Sequence, residues 1–159
     1  MCKLRTCDFY YGAVISMLNR SEITPTLIET QEDSRRVYAI STDYADYKLL
    51  MKYRCKISGK KDNYSSWNFN IATDKDILEK YLANNESFYV ALICIEESFN
   101  DSKLAILDAD QIRQILDLKK ESFTISIRKK EQYFRIPKNG KRSEAMMIKC
   151  DRMSELKGG

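Results

Sequence analysis

A continuously apolar run, Phe88–Ile95, sets the strongest limit on the architecture of this chain. A run of this kind is typical of a β-strand that is covered on both faces, because neither face then needs polar side chains. It is far shorter than the roughly 20 apolar residues of a membrane-spanning helix. We therefore expect a layered protein in which this strand lies near the centre of a sheet, with no membrane partner.

The segments around this run predict an ordered mixture of helices and strands. Helix starts are indicated at Asp8, at Thr73 with its capping partner Asp76, and at Asp108. Strands are predicted at residues 26–30, 36–42, 47–57, 67–71, 103–107, 123–127 and 133–136, whereas 145–149 fits either a strand or a short helix. The chain, residues 1–159, is thus predicted to be a single α/β (α+β) domain. It should have a mixed central sheet with an N-terminal antiparallel meander, about three flanking helices and a C-terminal β-hairpin.

Composition excludes several classes of chemistry. The 159 residues include no histidine, so no mechanism can use a histidine base, acid or metal ligand. Five cysteines, at positions 2, 7, 55, 94 and 150, form no C-x-x-C pair, which indicates reduced thiols, with Cys55 and Cys94 in the core. No glycine-rich phosphate loop or serine-hydrolase elbow is present. With 43% hydrophobic and 31% charged residues, the chain has the balance of a soluble protein, and we expect it in the cytoplasm.

Residues 47–57 alternate between apolar and basic side chains, as in a strand with two different faces. The basic positions are Lys48, Lys52, Arg54 and Lys56, and the apolar Leu50 interrupts them. Like charges on one face repel, so either acids on neighbouring strands offset them or the face meets solvent and an anionic ligand. The pattern therefore indicates either a solvated lysine-rich face or a surface for a phosphate backbone.

A second basic cluster lies near the C-terminus, and its charge exceeds the net charge of +4 of the whole chain. Residues 128–152 contain nine basic and three acidic side chains. Tyr64 and Trp67, which follow two further lysines, could stack on nucleic-acid bases beside such a track. In addition to the four basic residues of 47–57, the predicted nucleic-acid-binding residues are Lys60, Lys61, Trp67, Lys129, Lys130, Arg135, Lys141 and Arg142.

The order of a leading helix, a three-strand meander, a crossover helix and the strand Phe88–Ile95 resembles the PD-(D/E)xK restriction-endonuclease-like fold over about residues 8–118, with a basic extension over about 121–156. The resemblance implies an acid on the second strand and an acid-x-lysine motif on the third, which bind Mg²⁺ and activate water. Lys52 matches the lysine and Asp33 could match the first acid. Leu50 stands where the motif has Asp or Glu, which implies a catalytically degenerate domain unless Glu29 or Asp46 replaces that acid.

Three functions are compatible with these patterns. The first is a nucleic-acid-binding module for DNA or RNA, without a metal or other cofactor. The second is a protein-binding inhibitor or adaptor that targets a nucleic-acid-processing enzyme. The tyrosine-rich surface for it would include Tyr44, Tyr47, Tyr64 and Trp67. The third is a Mg²⁺-dependent nuclease with Asp33, Asp46 and Lys52 at its centre.

Overall fold

The computed structural model describes residues 3–31, 35–57, 63–138 and 141–157, without the side chains of 29–31, 141–144 and 157. The helices are α1 (Thr6–Arg20), α2 (Lys75–Ala83) and α3 (Ala109–Asp117). The strands are β1 (Pro25–Gln31), β2 (Arg35–Ser41), β3 (Asp46–Cys55), β4 (Tyr64–Asn70), β5 (Phe88–Ile95), β6 (Lys103–Leu107), β7 (Ser122–Arg128), β8 (Tyr133–Lys138) and β9 (Lys141–Lys149). Short 3-10 helices occupy Phe99–Asp101 and Met153–Lys157.

Five strands form a mixed sheet, here called sheet A, in the order β1-β2-β3-β5-β6. The strands β1, β2 and β3 are an antiparallel meander, and β6 is antiparallel to β5. The strands β3 and β5 are parallel, which requires a crossover connection, and α2 lies in that connection. The central strand β3 is covered on both faces, because Leu50 lies in one buried cluster and Leu49 and Met51 lie in the other.

The other four strands form an antiparallel sheet, here called sheet B, in the order β4-β7-β8-β9. Burial alternates along its strands: Phe123, Ile125 and Ile127 of β7 are buried, and the residues between them are not. One face of sheet B thus packs into the protein, and the opposite face carries the polar residues.

The interior consists of two hydrophobic clusters on opposite faces of sheet A. One cluster joins sheet A to α1 and to the C-terminal 3-10 helix, and includes Tyr11, Leu49 and Leu156. The other joins sheet A to α2, α3 and the inner face of sheet B, and includes Leu50 and Trp67. Sheet A is thus the middle layer, which explains why Phe88–Ile95 is apolar throughout.

The predicted fold class is confirmed: a mixed sheet with an N-terminal antiparallel meander, three helices and antiparallel strands at the C-terminal end. Residues 145–149 are a strand, part of β9, so the C-terminal hairpin is one part of a larger sheet. The expected core position of Cys94 is confirmed, and burial raises the pKa of its thiol. The prediction that Cys55 lies in the core is wrong, because β3 ends at this residue and its side chain is exposed.

Candidate nucleic-acid interface

Lys52 does not lie on a solvent-facing surface, so its prediction as a nucleic-acid-binding residue is wrong. Its side chain is 9% exposed, and its ammonium group donates a hydrogen bond of 2.6 Å to Asp74, whose side chain is fully buried. Arg35 binds the other carboxylate oxygen of Asp74 at 2.9 Å and also donates to the carbonyl of Thr73 at 2.8 Å. Both oxygens of Asp74 are therefore engaged by cations, and Lys52 is held away from any surface ligand.

This buried charge cluster has little room for a substrate. Lys52 and Asp74 border a cavity of about 10 Å³, whose other walls include Leu50, Leu78 and Val90. Such a volume accommodates about one water molecule. The cluster therefore fixes the start of α2 against β2 and β3. Asp74 is the N-cap residue of α2, but its side chain makes no capping bond.

Acids also offset two other lysines of residues 47–57, Lys48 in β3 and Lys56 directly after it. Lys48 binds Glu86 at 2.5 Å, and this hydrogen bond lowers the pKa of Glu86. Lys56 lies 3.5 Å from Glu96. The lysines of residues 47–57 therefore follow the first alternative, in which neighbouring acids offset their charges. Among the four basic residues of this segment, Arg54 is the one that is exposed.

The substitution Lys52→Met tests this assignment. We expect nucleic-acid affinity to remain that of the parent, because the side chain does not reach the surface. Stability should fall by about 1–3 kcal/mol, because Asp74 loses one of its two cationic partners in a buried site. Denaturant unfolding and oligonucleotide binding measured on the same preparation check both parts. A large loss of affinity in a folded variant would contradict the assignment.

Trp67 does not provide a stacking surface, so this prediction is also wrong. The side chain is fully buried, and its indole N–H donates to the carbonyl of Ile95 at 2.9 Å. This bond ties sheet B to the end of β5. Tyr47, named for a protein-binding surface, is likewise buried, and its hydroxyl donates to the carbonyl of Leu156. Of that proposed surface, Tyr44 is 75% exposed and Tyr64 is half-buried.

Trp67 is the sole tryptophan of the chain, so its fluorescence reports its environment directly. We expect emission that is blue-shifted relative to free tryptophan and resistant to quenching by acrylamide, because the ring has no contact with water. Adding an oligonucleotide should leave this emission unchanged. Quenching by acrylamide in the native state, or by a bound base, would place the ring at the surface.

The residues suggested for a nuclease centre are not brought together within the described part of the chain. Asp46 begins β3 and accepts a hydrogen bond from Ser41 at 2.6 Å, whereas Lys52 is six residues further along, about 20 Å in an extended strand. Asp33 lies outside the described residues, as does the side chain of Glu29. Within the described ranges, no group of three or more Cys, Asp or Glu side chains is arranged to hold a metal ion.

Three consecutive basic side chains lie where β7 ends: Arg128 is its last residue, and Lys129 and Lys130 are in the turn towards β8. All three are exposed, and none of them forms an ion pair within the described residues. The backbone N–H of Lys129 donates to the carbonyl of Asn63 at 2.8 Å, and Lys130 has a positive φ of 70°. The turn is therefore pinned to the start of β4. We call residues 128–130 the basic turn.

The basic turn borders a groove of about 380 Å³ between the ends of sheets A and B. Lys103 adds a fourth cation to this groove from the start of β6. Arg54 lies in the same row of sheet A, because Cys94 pairs with Arg54 on one side and with Lys103 on the other. The acids along the groove are Glu96, Asp101 and Glu131. Two of these acids are already paired, Glu96 with Lys56 and Glu131 with Arg135, so the cations are in excess.

The solvent-facing side of sheet B, here called the outer face, continues from the basic turn. Its positions are Tyr64, Ser66, Asn68 and Asn70 on β4, Ser122, Thr124, Ser126 and Arg128 on β7, Tyr133 and Arg135 on β8, and Met147 and Lys149 on β9. None of these positions is acidic. The outer face is thus mostly polar and basic, with two tyrosines and the exposed Met147.

The structure brings together only some of the residues predicted to bind nucleic acid. Lys129 and Lys130 belong to the basic turn, and Arg54 lies in the row of sheet A that reaches the groove. Arg135 is on the outer face but binds Glu131. Lys60 and Lys61 lie outside the described residues, as do the side chains of Lys141 and Arg142. Lys149 belongs to the basic cluster of residues 128–152. Sequence reasoning did not single out Lys103 or Tyr133 as ligand-binding residues, because only the pairing of distant strands places them here.

Fold and surface together define a two-sheet α+β protein with a basic, non-acidic sheet face. No family model, curated protein or solved structure matches the chain. The resemblance to the restriction-endonuclease-like fold therefore stays a prediction. Among the described helices, none has the length and apolar character needed to cross a membrane.

Proposed function

We propose that this protein is a nucleic-acid-binding module whose phosphate contacts come from the basic turn. The observation that carries the proposal is the grouping of Arg128, Lys129 and Lys130, exposed and without acidic partners in the described structure, beside Lys103 at one groove. Clustered lysine and arginine side chains release counterions from a phosphate backbone, and this release supplies most of the sequence-independent affinity.

The distribution of acids supports a polyanionic ligand. The net charge of +4 alone would give only weak attraction. The acids nearest the basic turn include Glu131, whose side chain is 29% exposed and whose carboxylate is paired with Arg135. The cations of the turn therefore face solvent at the end of a sheet, where a phosphate chain can approach them from the groove or from the outer face.

The proposal also makes the domain catalytically degenerate. Leu50 is buried in the core between the two sheets, and Lys52 is bound by Asp74. Neither side chain is free to hold or activate a hydrolytic water. We therefore propose binding without strand cleavage, with Mg²⁺ dispensable for it.

Fluorescence polarisation of labelled DNA and RNA, measured at low and at physiological salt with and without Mg²⁺, tests this function. We expect binding at low salt, weaker binding at physiological salt and intact strands on a denaturing gel. No polarisation change at low salt would overturn the proposal and redirect attention to a protein partner. Strand cleavage would overturn its non-catalytic part.

A further inference from the structure

The outer face of sheet B carries a row of alternating aromatic and basic side chains at its basic-turn end. Tyr64 pairs with Arg128, and Tyr133 pairs with Lys149. The strands β7 and β8 are antiparallel, and Ser126 pairs with Arg135. Continued by two residues towards the turn, this register sets Arg128 of β7 opposite Tyr133 of β8. The row across the four strands is therefore Tyr64, Arg128, Tyr133, Lys149.

The spacing of this row suits stacked bases. Neighbouring strands are about 4.8 Å apart, so the two tyrosines stand about 10 Å from each other with Arg128 between them. Tyr133 is 46% exposed and makes no ring-to-ring contact within the described residues. An exposed phenol ring can stack on a base, and a guanidinium group beside the ring can bind the phosphate of the same nucleotide.

On β4 and β7, the rest of the outer face consists of short polar side chains that can form hydrogen bonds. Ser66, Asn68, Thr124 and Ser126 occupy the next rows, and the Asn68 amide donates to the Thr124 hydroxyl at 3.2 Å. Short polar side chains leave room for a base to lie over the sheet. A duplex keeps its bases stacked on one another, so along its length it can offer this face phosphates and groove edges but no free base for stacking.

We infer that the outer face binds single-stranded nucleic acid by stacking bases on Tyr64 and Tyr133, with Arg128 and Lys149 contacting phosphates. The inference rests on the proposed function and names its substrate class. In this arrangement the basic turn attracts the phosphate backbone, which duplex and single strand share. The two tyrosines discriminate between the two ligands, because only the single strand offers bases for stacking.

The test compares an oligothymidine of about 20 nucleotides, longer than the roughly 4–16 nucleotides that a single-strand-binding OB fold covers, with a duplex of the same length. We expect Tyr133→Leu and Tyr64→Leu each to lower affinity for the single strand by about 5- to 150-fold, since stacking contributes about 1–3 kcal/mol per base. Duplex affinity should stay unchanged. Tyr133→Phe keeps the ring and should keep the affinity.

Tyr44→Leu is the matched control, because Tyr44 is 75% exposed but lies in the turn between β2 and β3 of sheet A. It should bind both ligands as the parent does. Equal affinity of the parent for single strand and duplex, together with Tyr133→Leu variants that bind normally and remain folded by circular dichroism, would overturn the inference while the proposed function stands. Absence of binding by the parent to either ligand would overturn both.

Discussion

The substitution Asp74→Ala is expected to lower the free energy of unfolding by about 3–5 kcal/mol, the cost of leaving buried charges without their partner. The carboxylate of Asp74 is fully buried and accepts hydrogen bonds from Arg35 and Lys52, whose side chains are each 9% exposed. Removing it leaves two cations facing each other across an apolar site. Urea unfolding followed by far-ultraviolet circular dichroism measures this loss.

Asp76→Ala is the control for that substitution. Asp76 lies two residues after the N-cap residue Asp74, in the first turn of α2, and is exposed, so it shares the helix N-terminus but not the buried ion pairs. Its loss should cost less than about 1 kcal/mol, through the helix dipole alone. Equal losses for the two variants would show that the charge cluster does not hold α2 against sheet A.

Replacing Lys129 and Lys130 together with glutamate is expected to weaken nucleic-acid binding by roughly 10- to 100-fold at low salt, because two phosphate contacts become two repulsions. The slope of log affinity against log salt should fall by about 1.4 for a single strand, since each contact contributes about 0.7. Stability should change little, because both side chains are exposed. A salt series of polarisation titrations gives both quantities.

The matched control is Lys119→Glu with Lys120→Glu. These lysines are adjacent and exposed, and Lys119 has a positive φ of 55°, close to the 70° of Lys130. They precede β7, whereas the basic turn follows it, so about 20 Å of strand separates the pairs. The change in net charge is identical. If both double variants lowered nucleic-acid affinity equally, the binding would depend on overall charge alone, which would contradict a defined site.

The layered fold could be predicted from the sequence because local patterns agree with burial. Phe88–Ile95 is apolar because sheet A is covered on both faces. The helix start at Asp108 is confirmed, with its carboxylate accepting from the N–H of Gln111 at 2.9 Å. Asp8 was predicted as a cap but lies one turn inside α1, where it accepts from the N–H of Arg5. The helix start therefore lies three residues before the predicted one, and boundaries are the least reliable part of an element predicted from sequence.

The buried charge cluster could not be predicted because its members are far apart in the sequence. Lys52 follows an alternating pattern that a solvated strand also shows, and its partner Asp74 lies 22 positions further along. Leu50 within the basic face was the one local sign that this face is buried. An apolar residue there fits a strand covered on both sides.

The position of β4 also depended on long-range pairing. Trp67 and Phe69 alternate with polar residues as expected, but the strand pairs with β7 rather than extending the meander. This pairing buries Trp67 and turns Tyr64 towards the basic turn. Hydrophobic periodicity identifies a strand but not its neighbour, so the outer face and its row of tyrosines emerge only from the register.

The central claim is that nucleic acid sits on the basic turn, and lysine footprinting tests it most directly. The protein is acetylated with and without a saturating single-stranded oligonucleotide, and each lysine is quantified by mass spectrometry. We predict protection of Lys129, Lys130 and Lys149, with Lys119 and Lys120 modified equally in both samples. Protection confined to Lys119 and Lys120, or absent from every lysine at saturating ligand, would contradict the account.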